Sequence, residues 1–338
     1  MIVLDSNQLI AYEGLQTPVN SILRAIASAT GHRLAIPETV ADEYLAHYER
    51  RLEELGSQVV ETFRHLKALC SVWGQGMTIG PPDSADETQR HRQVLESTFE
   101  VLPLASGAAG EALRREAYRQ LPTSGGRGAR DAAIWLTILA QAPCDSRTYM
   151  VAKDRRAFGD RVLHGELAEE AMAHGVDIVL ATEINDMLDV LAIHEQLARD
   201  AGQALSGHDI VREAVRDELF HPLSGFNHML GVPWHATGTA FMNVVQPPTF
   251  EARVLESSSI YRVGKAAWAN LGGQWIVTAV VDREIDHNVE HWQTQQGIEL
   301  AVLVQVDNEQ HPVAAQVIHR RPAVSLQVDT LGAGRVDR

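Results

Sequence analysis

Two acidic residues directly follow short apolar runs in this sequence. Asp5 comes after Ile2–Leu4, and Asp154 comes soon after residues 148–152. Continuous apolar runs of this length are typical of strands that are buried on both faces of a parallel sheet. Ligands of open α/β sheets bind outside the carboxyl ends of the strands. Parallel pairing of the two runs would therefore bring Asp5 and Asp154 together at the sheet edge where chemistry takes place.

Two further acids lie on predicted helices. Pro37 and Thr39 mark the start of one helix, and Glu43 falls about one turn into it. A glycine-rich loop at residues 125–128 leads into a second helix, which carries Asp131 in its first turn. Clustered carboxylate oxygens are hard ligands that suit Mg²⁺ or Mn²⁺. The four acids together predict a divalent cation site at the sheet edge.

The contexts of these acids resemble the motifs of the PIN-domain nucleases. In that family the first acid stands in D-[ST]-N, the second ends P-x-x-V-x-x-E, the third stands in R-D-A, and the fourth follows the fourth strand as T-N-D. The matching segments here are residues 5–7, 37–43 and 130–132, whereas the fourth segment departs from the pattern and reads Ala152-Lys153-Asp154. The resemblance covers about residues 1 to 180.

This resemblance implies a metal-dependent endoribonuclease in which water attacks the RNA phosphodiester. Two Mg²⁺ or Mn²⁺ ions about 3.5–4 Å apart would activate that water and stabilise the leaving oxygen. The acids implied in catalysis and metal binding are Asp5, Glu43, Asp131 and Asp154, with Asp160 as a further metal ligand. The side chains expected to bind the substrate are Ser6, Asn7, Arg127, Arg130 and Lys153.

Other interpretations of the same residues stay open at this point. Each acid taken singly also fits a helix cap or a solvated surface charge, and Asp5 would cap a helix over roughly residues 8–29. The same site would suit DNA ends or flaps, and the chain would also suit a non-catalytic RNA- or protein-binding module that retains the fold. A toxin of a toxin–antitoxin pair is a further alternative, although the extra C-terminal half favours a regulatory, targeting or defence role.

The predicted fold class is α/β: a PIN-like α/β/α sandwich with a central parallel sheet and a helical insertion, followed by a smaller β-rich, α+β domain. We expect the nuclease domain at residues 1–181, with its insertion at about 45–120. A helical connector at 182–237 and a β-rich accessory domain at 238–330 would follow.

The predicted insertion begins with one long amphipathic helix. Apolar residues recur at steps of three and four from Leu45 to Leu69. Ser84 and Glu87 have the spacing of a capping box for the next helix. We expect this helical pair to pack on the core, and a homodimer formed through the long helix is the alternative.

The C-terminal half favours short β-strands at about residues 239–245, 250–255, 274–281, 298–306 and 314–319. Turn-forming residues at 270–273 and 307–308 suggest an antiparallel sheet or small barrel. We expect Trp268, Trp275 and Trp292 to pack in this sheet rather than stack on bases. A protein partner would bind through this domain.

Composition narrows the function further. The 338 residues carry a formal net charge of −15, which argues against a protein that grips nucleic acid through bulk charge. The two cysteines, Cys70 and Cys144, cannot form a disulfide framework, so a reducing cytoplasm is expected. The sequence contains no long apolar segment, so no membrane is expected as a partner.

Overall fold

The computed structural model describes residues 1–11, 15, 17–70, 78–123, 127–220, 241–285 and 288–322. Contacts divide the chain into two compact units. Unit 1 comprises Met1–Leu15 and Thr30–Met187, and unit 2 comprises Gln16–Ala29 and Leu188–Arg338. Among the described helices, none has the length and apolar character that a membrane span requires.

The described residues form ten strands, which are arranged in two sheets. The strands are β1 (Ile2–Leu4), β2 (Leu34–Pro37), β3 (Glu100–Leu102), β4 (Thr148–Val151), β5 (Ile178–Ala181), β6 (Ile193–Gln196), β7 (Phe241–Val263), β8 (Ala266–Ile285), β9 (Asn288–Val306) and β10 (Pro312–Pro322). Unit 1 contains the first sheet, in the order β3-β2-β1-β4-β5, and its strands all run parallel. The strands β1 and β4 are wholly buried and β2 is buried at three of its four residues, as expected of the middle of a parallel sheet covered on both faces.

The helices complete the two units. They are α1 (Ser6–Ala11), α2 (Pro18–Thr30), α3 (Glu38–Leu69), α4 (Ser84–Thr98), α5 (Ala108–Tyr118), α6 (Ala129–Gln141), α7 (Gly165–Ala173), α8 (Ile184–Leu191), α9 (Arg199–Ser206) and α10 (Asp209–Phe220). The predicted α/β class with a parallel central sheet is confirmed, and β1 pairs directly with β4 as the buried apolar runs indicated.

Three details of unit 1 differ from the sequence expectations. The helix expected over residues 8–29 is two helices, because α1 ends at Ala11 and α2 begins at Pro18, a residue favoured in the first helical turn. The helical insertion is interrupted by β3, whose three residues are too few to show a periodic pattern. The cap of α4 is Asp83, whose side chain accepts the Asp86 N–H, so the capping box at Ser84 was wrong.

Unit 2 contains the second sheet, which is antiparallel throughout. Its order is β10-β9-β8-β7-β6. The predicted antiparallel sheet is therefore confirmed, but three of its strands are much longer than expected, at 19 to 23 residues. Helices α9 and α10 share one apolar core with the sheet, and Trp275, Val302 and Val215 are fully buried in it.

The turn expected at residues 270–273 was wrong, because these residues lie inside β8. The β7–β8 turn falls instead at Gly264, which has a positive φ of 58°. A Cβ on Gly273 would lie 2.0 Å from the Val254 carbonyl oxygen, so this glycine permits close approach of β7. The glycines that suggested a turn therefore serve the pairing of two strands.

The region expected to be a helical connector contains both helices and a strand. Helices α8, α9 and α10 lie in it, and β6 pairs antiparallel with β7 through Ile193 and Arg262. Residues 221–237 of the expected connector and residues 238–240 of the expected β-rich domain lie outside the described residues, as does the Trp292 side chain. Trp275 and Trp268 are both buried, in agreement with the packing role expected for them.

Candidate active site

Asp5 lies at the carboxyl end of β1 and is almost completely buried, with 6 % of its surface exposed. Its backbone N–H donates to the Val151 carbonyl oxygen of β4 at 3.0 Å. Its carboxylate accepts the Ser6 backbone N–H at 2.8 Å and the Asn7 side-chain amide at 2.8 Å. Ser6 and Asn7, expected to bind substrate, therefore hold the Asp5 carboxylate in one orientation.

The pKa of Asp5 is raised from 3.8 to about 6, mainly by burial and also by the negative charges of Glu43 and Asp154, while the Ser6 N–H and Arg130 oppose the rise. Asp131 lies in the first turn of α6. Its pKa is likewise raised to about 6, mainly by burial and also by the charges of Asp5, Asp154 and Glu43, against the opposing charge of Arg130. The fold thus brings the four predicted acids close enough to repel one another.

Glu43 lies on α3 and pairs with a cation from a neighbouring helix. Its Oε1 is 2.7 Å from the Nη1 of Arg130, and the Glu43 side chain is 21 % exposed. Arg130 directly precedes Asp131 on α6. One of the cations expected to bind substrate is therefore engaged with one of the acids expected to bind metal.

Asp154 lies in the loop after β4. Its Oδ1 accepts the backbone N–H groups of Arg156 at 2.9 Å and Ala157 at 3.0 Å. These two bonds fix the Asp154 side chain in a local turn. An open cleft beside it is lined by five residues: Asn7, Lys153, Asp154, Arg155 and Arg156. The cleft joins one predicted acid to three basic side chains.

The remaining predicted residues are less closely tied to the four acids. Asp160 is exposed and pairs with Arg155, with Nε and Oδ1 3.3 Å apart. Lys153 pairs with Glu183 at 3.2 Å and is 41 % exposed. Arg127 is exposed, and residues 124–126 of the glycine-rich loop lie outside the described residues. Asp5 is therefore buried and the other three acids are half-buried, whereas the side chains of Asp160, Lys153 and Arg127 are exposed.

The side chains present fit a divalent cation in type and charge but are not arranged to hold one. Their donors are all carboxylate oxygens, and Asp5 and Asp131 are buried beside other acids, as expected of a site that a cation would relieve. Within the part of the chain that is described, no group of three or more His, Cys, Asp or Glu residues is placed to hold a metal ion. The Arg130–Glu43 pair engages one of the acids.

Sequence reasoning missed a buried glutamine next to the site. Gln8 is fully buried in α1, and its Nε2 donates to the Thr182 carbonyl oxygen at 3.0 Å. This bond ties the helix that follows Asp5 to the end of β5. Its Oε1 is buried without a hydrogen-bond partner. A glutamine after D-S-N gives no local signal for this role, because its partner is 174 residues away.

The arginines of α5 form ion pairs that stabilise the packing of the helices. Arg115 forms a double ion pair with Glu170 of α7, which also accepts the Trp135 indole N–H at 2.7 Å. Arg114 pairs with Glu111 at 2.7 Å on the same helix. These contacts pack α5, α6 and α7 together and hold the helix that carries Asp131.

Comparison with known proteins gives one match. The family model described as the PIN domain matches residues 2–158. No curated protein matches the chain, and no solved structure matches it. The matched residues contain β1, α3, α6 and β4, and hence all four acids at the edge of the parallel sheet.

Proposed function

Because residues 2–158 form a PIN domain, a fold of the nuclease type, we propose that this protein is a metal-dependent endoribonuclease that hydrolyses RNA phosphodiester bonds. The observation that carries the proposal is the pair Asp5 and Asp131. Both carboxyls have a pKa raised to about 6 by burial and by neighbouring acids. Buried acids that repel each other cost stability, and proteins concentrate such groups at functional sites.

We propose that Mg²⁺ or Mn²⁺ is held by Asp5, Glu43, Asp131 and Asp154. The bound cation would supply a more acidic water and stabilise the negative charge that develops on the phosphate oxygens. Within the chain, Ser6 and Asn7 keep the Asp5 carboxylate aimed by two hydrogen bonds of 2.8 Å. In this proposal a water molecule attacks the phosphorus atom, and the four carboxylates serve only to bind the cation.

The cleft beside Asp154 offers a path for the RNA backbone. Lys153, Arg155 and Arg156 line it together with Asn7. Guanidinium and ammonium groups hold phosphates without reading bases, so this wall would position the chain on either side of the cleaved bond. We propose Arg127 and Arg130 as further phosphate contacts at the other side of Asp131. Asp160, paired with Arg155, would act on the metal only through water.

Unit 2 has a role outside the chemistry in this proposal. The four acids all belong to unit 1, and unit 2 supplies a long antiparallel sheet with its own apolar core. We propose that the β-rich region expected at 238–330, which belongs to unit 2, is an accessory domain for a protein partner, and that a homodimer is formed by the long α3. Cys70 and Cys144 are free and exposed, which suits the cytoplasm as its location.

The test is cleavage of labelled single-stranded and structured RNA by the full chain with Mg²⁺ or Mn²⁺. The same RNAs are incubated with EDTA, and labelled DNA with single strands and flaps is digested in parallel. Asp131→Asn is the matched variant, because it removes one charge and keeps the shape of the side chain. We expect metal-dependent cutting of RNA that EDTA and Asp131→Asn both abolish.

Other results would redirect or end the proposal. Metal-dependent cutting of DNA but not of RNA, lost in Asp131→Asn, would replace the substrate and keep the site. Equal background cutting by wild type and Asp131→Asn would contradict catalysis by these acids. RNA binding without cutting would favour a non-catalytic binding module that retains the fold.

A further inference from the structure

A permanent positive charge already lies against one of the acids proposed to bind metal. The Nη1 of Arg130 is 2.7 Å from the Oε1 of Glu43. The charge of Arg130 also acts attractively on the buried carboxylates of Asp5 and Asp131. Arg130 thus neutralises part of the negative charge that would otherwise attract a divalent cation.

The backbone under this ion pair is well anchored. The first turn of α6 follows Gly128, whose φ is 113°. The Ala129 N–H donates to Glu116 Oε2 at 2.6 Å, and the Ala132 N–H donates to the Gly128 carbonyl at 3.0 Å. Asp131 lies between these fixed points. A change at the site therefore needs movement of the Arg130 and Glu43 side chains and no movement of the helix.

The Arg130 side chain has room to leave, since it is 57 % exposed, whereas Glu43 is only 21 % exposed. A guanidinium stays charged at any pH that a protein tolerates, so Arg130 cannot be neutralised in place. A cation that takes Glu43 as a ligand must therefore displace the guanidinium. Because Arg130 is the more exposed of the two side chains, its movement costs less free energy than movement of Glu43.

We propose that Arg130 competes with the divalent cation for Glu43 and that it swings away from Glu43 when the cation binds. This inference rests on the proposed function, because it assumes that the four acids are a cation site. It explains why the four acids lie together and yet, within the described residues, form no group placed to hold a metal. The exchange would also free Arg130 for the phosphate contact proposed above.

The experiment is titration of the full chain with Mn²⁺ by calorimetry in the absence of RNA, so that the readout is affinity and not activity. The variants are Arg130→Gln and Arg33→Gln. Both remove one positive charge from a 2.7 Å ion pair of unit 1, but Arg33 pairs with Glu100, which is not one of the four acids. We expect Arg130→Gln to bind Mn²⁺ about threefold to tenfold more tightly than wild type. Arg33→Gln should differ from wild type by less than about twofold.

A second comparison separates competition for Glu43 from a general charge effect. In a Glu43→Gln background, Arg130→Gln should change Mn²⁺ affinity by less than about twofold, because the contested ligand is gone. Unchanged or weaker binding by Arg130→Gln would overturn the inference. An equal gain in Arg33→Gln, or an equal gain from Arg130→Gln in the Glu43→Gln background, would overturn it as well.

Failure of the proposed function has a different signature. If neither wild type nor Arg130→Gln binds Mn²⁺ in a way that Asp131→Asn abolishes, the acids are not a cation site and both proposals fall. If wild type binds Mn²⁺ through Asp131 but Arg130→Gln binds no more tightly, only the competition fails. Binding by Arg130→Gln alone would support the inference in its strongest form.

Discussion

Asp5 and Asp307 each directly follow the last residue of a strand, one in unit 1 and the other in unit 2. Burial and neighbouring acids raise the pKa of Asp5 to about 6. Backbone N–H groups of His311 and Glu309, both 2.9 Å away, lower the pKa of Asp307. An aspartate at the end of a strand is therefore destabilised in its ionised form in unit 1, whereas in unit 2 it is stabilised by the hydrogen bonds of a turn.

The two units differ in the same way throughout their interiors. The core of unit 2 consists of apolar side chains such as Trp275, Val277 and Val302. Unit 1 buries Asp5 at the end of β1 and half-buries Asp131 beside it. Burying an acid whose charge is not fully paired lowers the stability of the fold. Proteins concentrate such acids at functional sites, so this difference marks unit 1 as the unit that carries the site. Four predictions test this distinction, from the largest expected effect to the smallest.

The largest effect is expected in the core of unit 2. Trp275 is fully buried, so Trp275→Ala should lower the free energy of unfolding by about 3–5 kcal/mol through lost burial and a cavity. Chemical denaturation followed by circular dichroism measures the loss. Val313→Ala, at a residue 52 % exposed in the same sheet, is the control and should change little. A loss below about 1 kcal/mol for Trp275→Ala would contradict a packed apolar core in unit 2.

The next effect concerns an acid of unit 1 that serves structure. Glu170→Ala removes the carboxylate that accepts the Trp135 indole N–H and forms the double ion pair with Arg115, whose side chain is 11 % exposed. Arg115 keeps its contacts with Glu111 and the Leu121 carbonyl oxygen. We expect a loss of about 2–3 kcal/mol in unfolding free energy with unchanged Mn²⁺ affinity. Its exposed neighbour Glu169 provides the control, Glu169→Ala. A weaker Mn²⁺ affinity in Glu170→Ala would place this acid in the site and contradict its purely structural role.

The third prediction concerns pH in the presence of EDTA. The folded-state pKa of Asp5 is about 6 and its ordinary value is 3.8, so the folded protein binds this proton more readily. The resulting stability is fully present below about pH 4 and is lost as the pH rises through about 6. Lowering the pH from 7.5 to 5 should therefore stabilise wild type relative to Asp5→Asn by about 1.4 kcal/mol.

Thermal unfolding midpoints of wild type and variant across this pH range measure that difference. Asp307→Asn is the comparison from unit 2. The pKa of Asp307 is lowered, so its contribution is present above its ordinary value and is lost only at more acidic pH. The unfolding midpoints of wild type and Asp307→Asn should therefore change in parallel between pH 7.5 and 5. Parallel curves for Asp5→Asn as well would remove the contrast between the two acids.

The smallest effect is expected at an exposed ion pair of unit 1. Arg33 Nη1 lies 2.7 Å from Glu100 Oε1, and both side chains are about half exposed. Arg33→Gln should lower the unfolding free energy by less than about 1 kcal/mol, because solvent screens such pairs. Denaturant titration at low and high salt measures it. A larger loss would show that the edge strands β2 and β3 depend on this pair.

The four acids could be predicted because each has a local sequence context that places it at a strand end or in a helix turn. Asp5 follows an apolar run, and Asp131 follows a glycine-rich loop before an apolar helix. The parallel pairing of β1 with β4 then brings the strand-end acids together without further information. The antiparallel sheet of unit 2 was predicted from turn-forming residues between its strands, and the turn expected at 307–308 does lie between β9 and β10.

Other features depend on contacts between segments that are distant in the sequence. The Arg130–Glu43 pair forms because α3 and α6 pack side by side, which no local pattern shows. Gln8 finds its partner at the end of β5. Gly273 is inside a strand because β7 approaches it closely, although glycine pairs usually mark turns. Sequence patterns thus located the acids but not the groups that hold or oppose them.

The most direct test of the central claim is the rate of RNA cleavage with saturating Mn²⁺ by wild type, Asp5→Asn and Asp307→Asn. Both variants exchange a strand-end aspartate for its amide. We predict that Asp5→Asn loses about a hundredfold or more in rate, because a proposed metal ligand is gone, while Asp307→Asn retains the wild-type rate. Equal rates for Asp5→Asn and wild type would contradict an active site at the edge of the parallel sheet.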